Sequence, residues 1–317
     1  MRYLITGGAG FIGSNFIRHL LANDPSALVT NLDLLTYAAA PGTVAELNRL
    51  NRYELVHGDI CDSELVDRLM RNIDVVVNFA AESHVDRSIS GPNLFVTSNV
   101  VGTAVLLDAA RRNEVDRFVH ISTDEVYGTL VSGRAAEDDP LNPSSPYAAA
   151  KASADLIVAA YRKTYGYEAI VTRCSNNYGP YQHPEKLIPL AILRALSGDP
   201  IPIYGDGHQQ RDWLWVGDHC AAIDLVLARG VPGEVYNIAS GITVSNREVT
   251  ETIIELTGDG SIELVADRPG HDRRYALDIS KIEALGWQPM VSLRQGLEQT
   301  VDWYRQRREW WASLFDS

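Results

Sequence analysis

Cysteine is scarce, with three residues in 317, and Cys61, Cys174 and Cys220 include no pair at metal-ligand spacing. Neither a disulfide framework nor a structural zinc site is expected, and no metal is called for. Basic residues are outnumbered, 28 Lys and Arg against 41 Asp and Glu, leaving a formal charge of −13. A field of that sign repels polyanions, so neither nucleic acid nor an anionic membrane is expected as a partner. No apolar run approaches the ~20 residues of a membrane span. The opening Met1-Arg2-Tyr3-Leu4-Ile5-Thr6-Gly7 lacks the basic-then-apolar layout of a secretory signal. A cytoplasmic location fits these absences. Internal repeats and low-complexity tracts are also missing, which argues against domains strung as beads.

The composition, 45% hydrophobic with 24 glycines, is enough for a large core. Short runs of Val, Ile and Leu alternate with longer amphipathic stretches, the pattern of β-α-β units around a buried parallel sheet. Strands are predicted near 2–6, 28–33, 53–57, 73–79, 116–122 and 168–173, with helices near 12–23, 62–71, 93–113 and 145–165. The fold class is α/β, a doubly wound, Rossmann-like parallel sheet. After Asn176-Asn177-Tyr178-Gly179-Pro180 the rhythm breaks into Pro-rich and Gly-rich sequence with helices near 186–196, 217–229, 246–257 and 292–311. That portion is expected to form a smaller C-terminal lobe. The expected division is 1–175 and 176–317, with the two parts interwoven.

Gly7, Gly10 and Gly13 follow the first predicted strand and open the first helix. Glycine there permits a tight turn and brings backbone N–H groups close to a pyrophosphate at the helix N-terminus. Asp33 closes the second strand, where a carboxylate can accept both ribose hydroxyls of an adenosine; a turn or cap role is the alternative. No Lys or Arg lies between residues 19 and 48 to bind a 2′-phosphate, so NAD is favoured over NADP. Asp59 follows the third strand and has two equal readings, a contact to the adenine amino group or a cap on the next helix. Ala80 and Ala81 end the fourth strand at the same sheet edge.

Tyr147 and Lys151 stand at i and i+4 on a predicted helix, one face apart by a single turn. A neighbouring ammonium favours phenolate, which would lower the Tyr pKa towards general-base use. Ser122-Thr123-Asp124-Glu125 follows the fifth strand and brings hydroxyls and two adjacent carboxyl groups to the same edge. A polar turn with a helix cap is the plainer reading of that run. The joint order of glycine loop, Thr123, Tyr147 and Lys151 weighs against it.

Taken together, these motifs resemble the extended short-chain dehydrogenase/reductase family, specifically its dTDP-glucose 4,6-dehydratases. The carriers are Thr6-Gly7-Gly8-Ala9-Gly10-Phe11-Ile12-Gly13, Ala81-Glu82-Ser83-His84-Val85-Asp86, Ser122 to Gly128, Tyr147 with Lys151, and Cys174 to Pro180. Downstream come Pro184 to Pro189, Arg211-Asp212-Trp213 and Arg268 to Arg274. The Asp124-Glu125 pair discriminates, because related epimerases carry small hydroxyl residues at Asp124. A 4-epimerase or uronic-acid decarboxylase would share NAD, Tyr147 and Lys151 without needing that pair. A non-catalytic NAD sensor would need none of the set.

The resemblance implies dehydration of dTDP-glucose in deoxysugar biosynthesis, with NAD tightly bound and regenerated each cycle. Tyr147 would be the base at the 4-hydroxyl with Lys151 beside it, Thr123 would hydrogen-bond O4, Glu125 would take the C5 proton and Asp124 would donate to the leaving hydroxyl. The same likeness adds Phe11, Ile12, Leu34, Thr36, Ile60, Ala80, Ala81, Tyr147 and Lys151 to the NAD site. For the nucleotide sugar it implies His84, Thr123, Asn176, Glu185, Lys186, Leu187, Tyr204, Asn246 and His271, with Arg211 and Arg268 on the diphosphate. It also implies a homodimer through the helices near 93–113 and 145–165. Two departures stand out: Leu34 replaces a common Lys, and the Glu125–Tyr147 segment is short, as in relatives from antibiotic deoxysugar pathways.

Overall fold

Strands whose two faces are both covered need no polar alternation, and the central strands show it: Val75–Asn78 and Ile170–Cys174 are buried at every position. The computed structural model describes residues 1–267, 269–312 and 314. Among the described residues twelve strands occur in order: β1 Arg2–Thr6, β2 Leu28–Asp33, β3 Tyr53–His57, β4 Val75–Asn78, β5 Arg117–Thr123, β6 Ile170–Cys174, β7 Asn176–Tyr178, β8 Pro200–Tyr204, β9 Gln210–Trp215, β10 Val235–Ile238, β11 Thr243–Ser245 and β12 Ser261–Val265. Seven of them form one sheet in the order β10-β6-β5-β4-β1-β2-β3. All its pairs are parallel. The winding reverses between β1 and β4, which opens a crevice outside their carboxyl ends. Alternate β1 side chains serve opposite faces: Tyr3 and Ile5 enter one core and Leu4 the other.

The sixth predicted strand starts two residues late, at Ile170. The helix predicted near 93–113 is continuous over 92–112 but contains a π-turn at Val96–Val101, flanked by α-helical Pro92–Phe95 and Gly102–Arg112. The widened turn coincides with the β-branched Val96, Thr97, Val100 and Val101. Helices Pro41–Leu47 and Val85–Ser90 were not predicted, since each is too short for a period to be legible. The single helix predicted near 292–311 is two, Leu293–Gln306 and Arg308–Ala312, broken at Arg307.

By length and composition alone, the 21-residue helix 92–112 is apolar enough to cross a membrane, the mean hydropathy of its 18-residue window being 1.3. Its Phe95, Asn99, Thr103, Leu106 and Leu107 are buried in the protein, and it packs against helix Pro146–Tyr165.

Past residue 175 the chain leaves the sheet and returns. β7, β9 and β11 form a three-stranded sheet, β8 pairs with β12, and β10 rejoins the main sheet beside β6. Cysteines 61, 174 and 220 are free, and among the described residues no cluster of potential metal ligands occurs.

Candidate active site

The crevice at the β1–β4 switch is lined at one end by Gly7, Gly10, Phe11, Ile12, Gly13, Asp33, Leu34, Thr36, Asp59, Ile60, Ala80 and Ala81. Two glycines are sterically required. Gly7 has φ +68°, and a Cβ there would meet Ala80 backbone at 2.6 Å; one on Gly13 would lie 2.5 Å from the Gly7 carbonyl. Helix Phe11–Asn23 begins with Gly10 as N-cap and has no side-chain cap, so its first-turn N–H groups have no side chain standing in for a ligand. That bare terminus above a buried carboxylate fits a dinucleotide pyrophosphate and ribose.

Asp33 has the turn role and also lines the crevice. Its carboxylate accepts from the Ala9 N–H and the Leu35 N–H, each at 2.8 Å, pinning the glycine loop and its own turn while lining the crevice. Burial pushes its pKa up, and the two backbone donors act against that. Asp59 accepts from Cys61 N–H at 2.8 Å. The cap on the next helix is Asp62, which accepts from Glu64 and Leu65 N–H, so the capping reading of Asp59 does not hold. Leu34 lines the crevice and is half exposed.

At the other end β5 delivers Thr123 and a 3₁₀ turn delivers Asp124 and Glu125. Thr123 caps that turn, accepting from Glu125 N–H at 3.3 Å, while its hydroxyl donates to Asp124 Oδ1 at 3.3 Å. The turn-and-cap geometry is present, and Thr123, Asp124 and Glu125 also line the crevice. Asp124 is 2% exposed and its Oδ2 has no partner among the described residues. Burial first, then the Glu125 charge, hold its carboxyl well above the usual range, against an opposing pull from Arg211.

Helix Pro146–Tyr165 starts under a Ser145 cap that accepts from Ala148 N–H, with Pro146 at the first turn. It places Tyr147 and Lys151 one turn apart, both buried and both lining the crevice. Lys151 Nζ donates to the Ile121 carbonyl at 2.6 Å and lies 3.5 Å from His120 Nε2. Burial lowers its pKa to about 8, Asp155 holding it up. The expected lowering of the Tyr147 pKa is absent: burial, then Glu125, push it well above 10, and the Thr123 hydroxyl only partly opposes them. Desolvation here outweighs the ammonium one turn away. Cys174 also lines the crevice, but burial pushes its thiol up to about 12, so it is no nucleophile.

Asn176, Glu185 and Lys186 complete the crevice. His84 lies behind them, its Nε2 3.5 Å from Glu185, and it also caps helix Val85–Ser90, so it is both structural and joined to the site. Lys186 donates to the Ser83 carbonyl at 3.3 Å. Leu187 starts helix Leu187–Ser197 and packs on the lobe core.

A second group gathers beyond the crevice lining. Tyr204 approaches Asp86 at 3.4 Å and meets the His271 ring edge-on, and His271 contacts Asp267 at 2.6 Å. Asn246 N–H donates to the Gln209 carbonyl at 3.0 Å. Asn246 Oδ1 and Gln209 Oε1 are buried without partners among the described residues. Arg211 is 5% exposed, donates to the carbonyls of Gln210 and Asp272, and lies over the Tyr275 ring rather than in the crevice lining. Arg268 lies outside the described residues. Sequence reasoning missed Gln182 and His183 in the lining, because no spacing rule marks loop residues of this kind.

Residues 4–300 match the family model described as GDP-mannose 4,6 dehydratase. The chain is 55% identical to the low-salt glycan biosynthesis protein Agl12 of Haloferax volcanii, over 96% of this chain and 98% of that one. It is 50% identical to a dTDP-glucose 4,6-dehydratase of Streptomyces niveus, covering 99% and 96%. The crystal structure of DesIV, a dTDP-glucose 4,6-dehydratase from Streptomyces venezuelae with NAD and TYD bound, superimposes with a TM-score of 0.96 at 52% identity, covering 99% and 100%.

Proposed function

From the premise that the chain belongs to the GDP-mannose 4,6 dehydratase family, we infer that its crevice performs NAD-dependent dehydration of dTDP-glucose to dTDP-4-keto-6-deoxyglucose, a step of deoxysugar biosynthesis. The observation that carries this reading is the buried Asp124 with the part-exposed Glu125 next to it, lining the end of a dinucleotide crevice together with Tyr147 and Lys151. An epimerisation needs no second carboxyl group held protonated.

The C5 hydrogen of glucose is not acidic, but a ketone at C4 places C5 α and the C6 hydroxyl β to a carbonyl, which opens elimination. When bound, NAD would supply the acceptor for the C4 hydride and the donor that returns it at C6, held by the glycine loop and Asp33. Tyr147 takes the proton of the 4-hydroxyl, and the Thr123 hydroxyl fixes O4. Glu125 takes the C5 proton, and Asp124, kept neutral by burial and by Glu125, gives its proton to the departing C6 hydroxyl, which leaves as water. Glu125 then returns a proton to C5. Tyr147 ends with one proton gained and Asp124 with one lost, and solvent restores both.

The glycine loop, Asp33, Leu34, Thr36, Asp59, Ile60, Ala80 and Ala81 hold the cofactor in this reading. His84, Asn176, Glu185 and Lys186 receive the hexose. Tyr204, Asn246 and His271 face the nucleotide, whose polar edges can satisfy the unpartnered Asn246 and Gln209 oxygens. Arg211 and Arg268 supply the positive charge for the diphosphate.

Mass spectrometry with dTDP-glucose in deuterated water, first without added NAD, tests the reading. The expected product has lost one water and carries one carbon-bound deuterium at C5. An unchanged sugar in the presence of NAD overturns it.

The proposal extends to a cytoplasmic homodimer, in a pathway of the antibiotic deoxysugar type. Leu94, Val96, Val101 and Leu156 stand exposed on helices 92–112 and Pro146–Tyr165, which pack against each other. Light scattering is expected to give about twice the 35.0 kDa chain mass. Leu156→Glu with Val101→Glu should return the monomer.

A further inference from the structure

Tyr37 stands in the segment between β2 and helix Pro41–Leu47. Its neighbours Thr36, Ala38 and Ala39 line the crevice at the cofactor end, whereas Tyr37 itself is not in the lining. Its half-buried ring is gripped by residues remote in sequence. The Arg87 guanidinium carbon lies 3.5 Å from the ring centroid. His183 meets the ring edge-on, with centroids 5.6 Å apart and an interplanar angle of 83°. The phenol donates to Glu185 Oε1 at 3.3 Å.

These partners belong to the sugar end of the crevice. Glu185 faces His84 at 3.5 Å and Lys186 at 3.9 Å, and His183, Glu185 and Lys186 all line the crevice. One aromatic side chain therefore ties the loop over the cofactor end to the segment over the sugar end. Leu35, beside it, has φ +53°, a left-handed conformation that a free loop would rarely hold. Burial, then the Glu185 charge, push the Tyr37 pKa well above 10, so the phenol stays a donor at neutral pH. Burial, with the charges of Lys186 and Arg87, lowers His183 to about 4 and keeps that ring uncharged.

A dehydration that returns its hydride needs the same cofactor in every turnover and gains nothing from exchange. We propose that Tyr37, gripped by Arg87, His183 and Glu185, is a clasp that locks the 34–40 segment over the crevice and retains NAD between turnovers. This rests on reading the crevice as the NAD site. The clasp residues are positioning residues, since they hold the lining segment and not the reacting atoms. Opening it breaks a hydrogen bond to a charged acceptor and a cation–π contact together.

The test follows release of radiolabelled NAD from purified holoenzyme after a chase with excess unlabelled NAD, a readout independent of turnover. Tyr37→Ala is expected to release label about 30-fold faster, Arg87→Met about fivefold and Tyr37→Phe about threefold. The last two variants keep the ring or the side-chain stem and carry the test if Tyr37→Ala fails to fold. Release within twofold of the parent in all variants that fold overturns the clasp, as does a change confined to the melting temperature of the NAD-free protein. A parent that carries no NAD on purification and, once stripped of any bound cofactor, takes up no label refutes the NAD-site reading itself, and the clasp with it.

Discussion

Tyr147→Phe is expected to lower kcat about a thousandfold, roughly 4 kcal/mol in the barrier, while the affinity for dTDP-glucose changes little. The substitution keeps the ring, and with it the edge-on contact to Phe95 at 6.3 Å and the packing on Ala150. Only the oxygen that takes the 4-hydroxyl proton is lost. Single-turnover absorbance of the reduced nicotinamide reads the C4 oxidation directly, and calorimetry reads binding. In the parent the rate rises with pH as Tyr147 ionises, since the base must be deprotonated; that rise should vanish in the variant. A Phe variant within tenfold of the parent kcat removes Tyr147 from the base role.

Glu125→Gln should separate the two halves of the reaction. Exchange of the C5 hydrogen with solvent deuterium is expected to slow by about a thousandfold, the span of a lost general base, while nicotinamide reduction still occurs. A second effect follows from the electrostatics. The Glu125 charge is the second-largest cause, after burial, of the raised pKa of both Asp124 and Tyr147. Removing it brings both down, so the pH at which C4 oxidation turns on moves to lower values in Glu125→Gln. Asp124→Asn is the complement, slowing water loss about a hundredfold and leaving C4 oxidation closer to the parent rate. A Glu125→Gln enzyme that still washes out the C5 hydrogen at the parent rate assigns that proton to another group. Equal slowing of oxidation and water loss in Asp124→Asn reduces Asp124 to holding the sugar.

Much of the sheet was legible because its strands announce themselves locally. Val75-Val76-Val77 is an apolar run bounded by Asp74 and Asn78, and the glycine loop lies between a strand and a helix. The C-terminal part was less legible. β7, β9 and β11 are three to six residues long, and β10 reaches the main sheet only by pairing with β6, more than 60 residues earlier in the chain. No local pattern encodes such a pairing. The Asp59 reading shows the same limit on a smaller scale: Asp59 and Asp62 are both apt caps by type, and only backbone geometry selects Asp62.

The sequence by itself determined the chemistry available to this protein: which acids, phenol and ammonium it carries, their order along the chain, and the α/β frame whose strand ends deliver Asp33, Ala80 and Thr123 to one edge. Residue type and short-range spacing suffice for that. Tertiary structure decided the state in which those groups wait. The pKa values of Tyr147 and Asp124 are both pushed up because burial removes water from them, and burial comes from packing contributed by distant segments. The assembly of Tyr204, Gln209, Asn246 and His271, and the grip of Glu185 on Tyr37 across 148 positions of sequence, are likewise set by contacts that exist only once the chain has closed on itself.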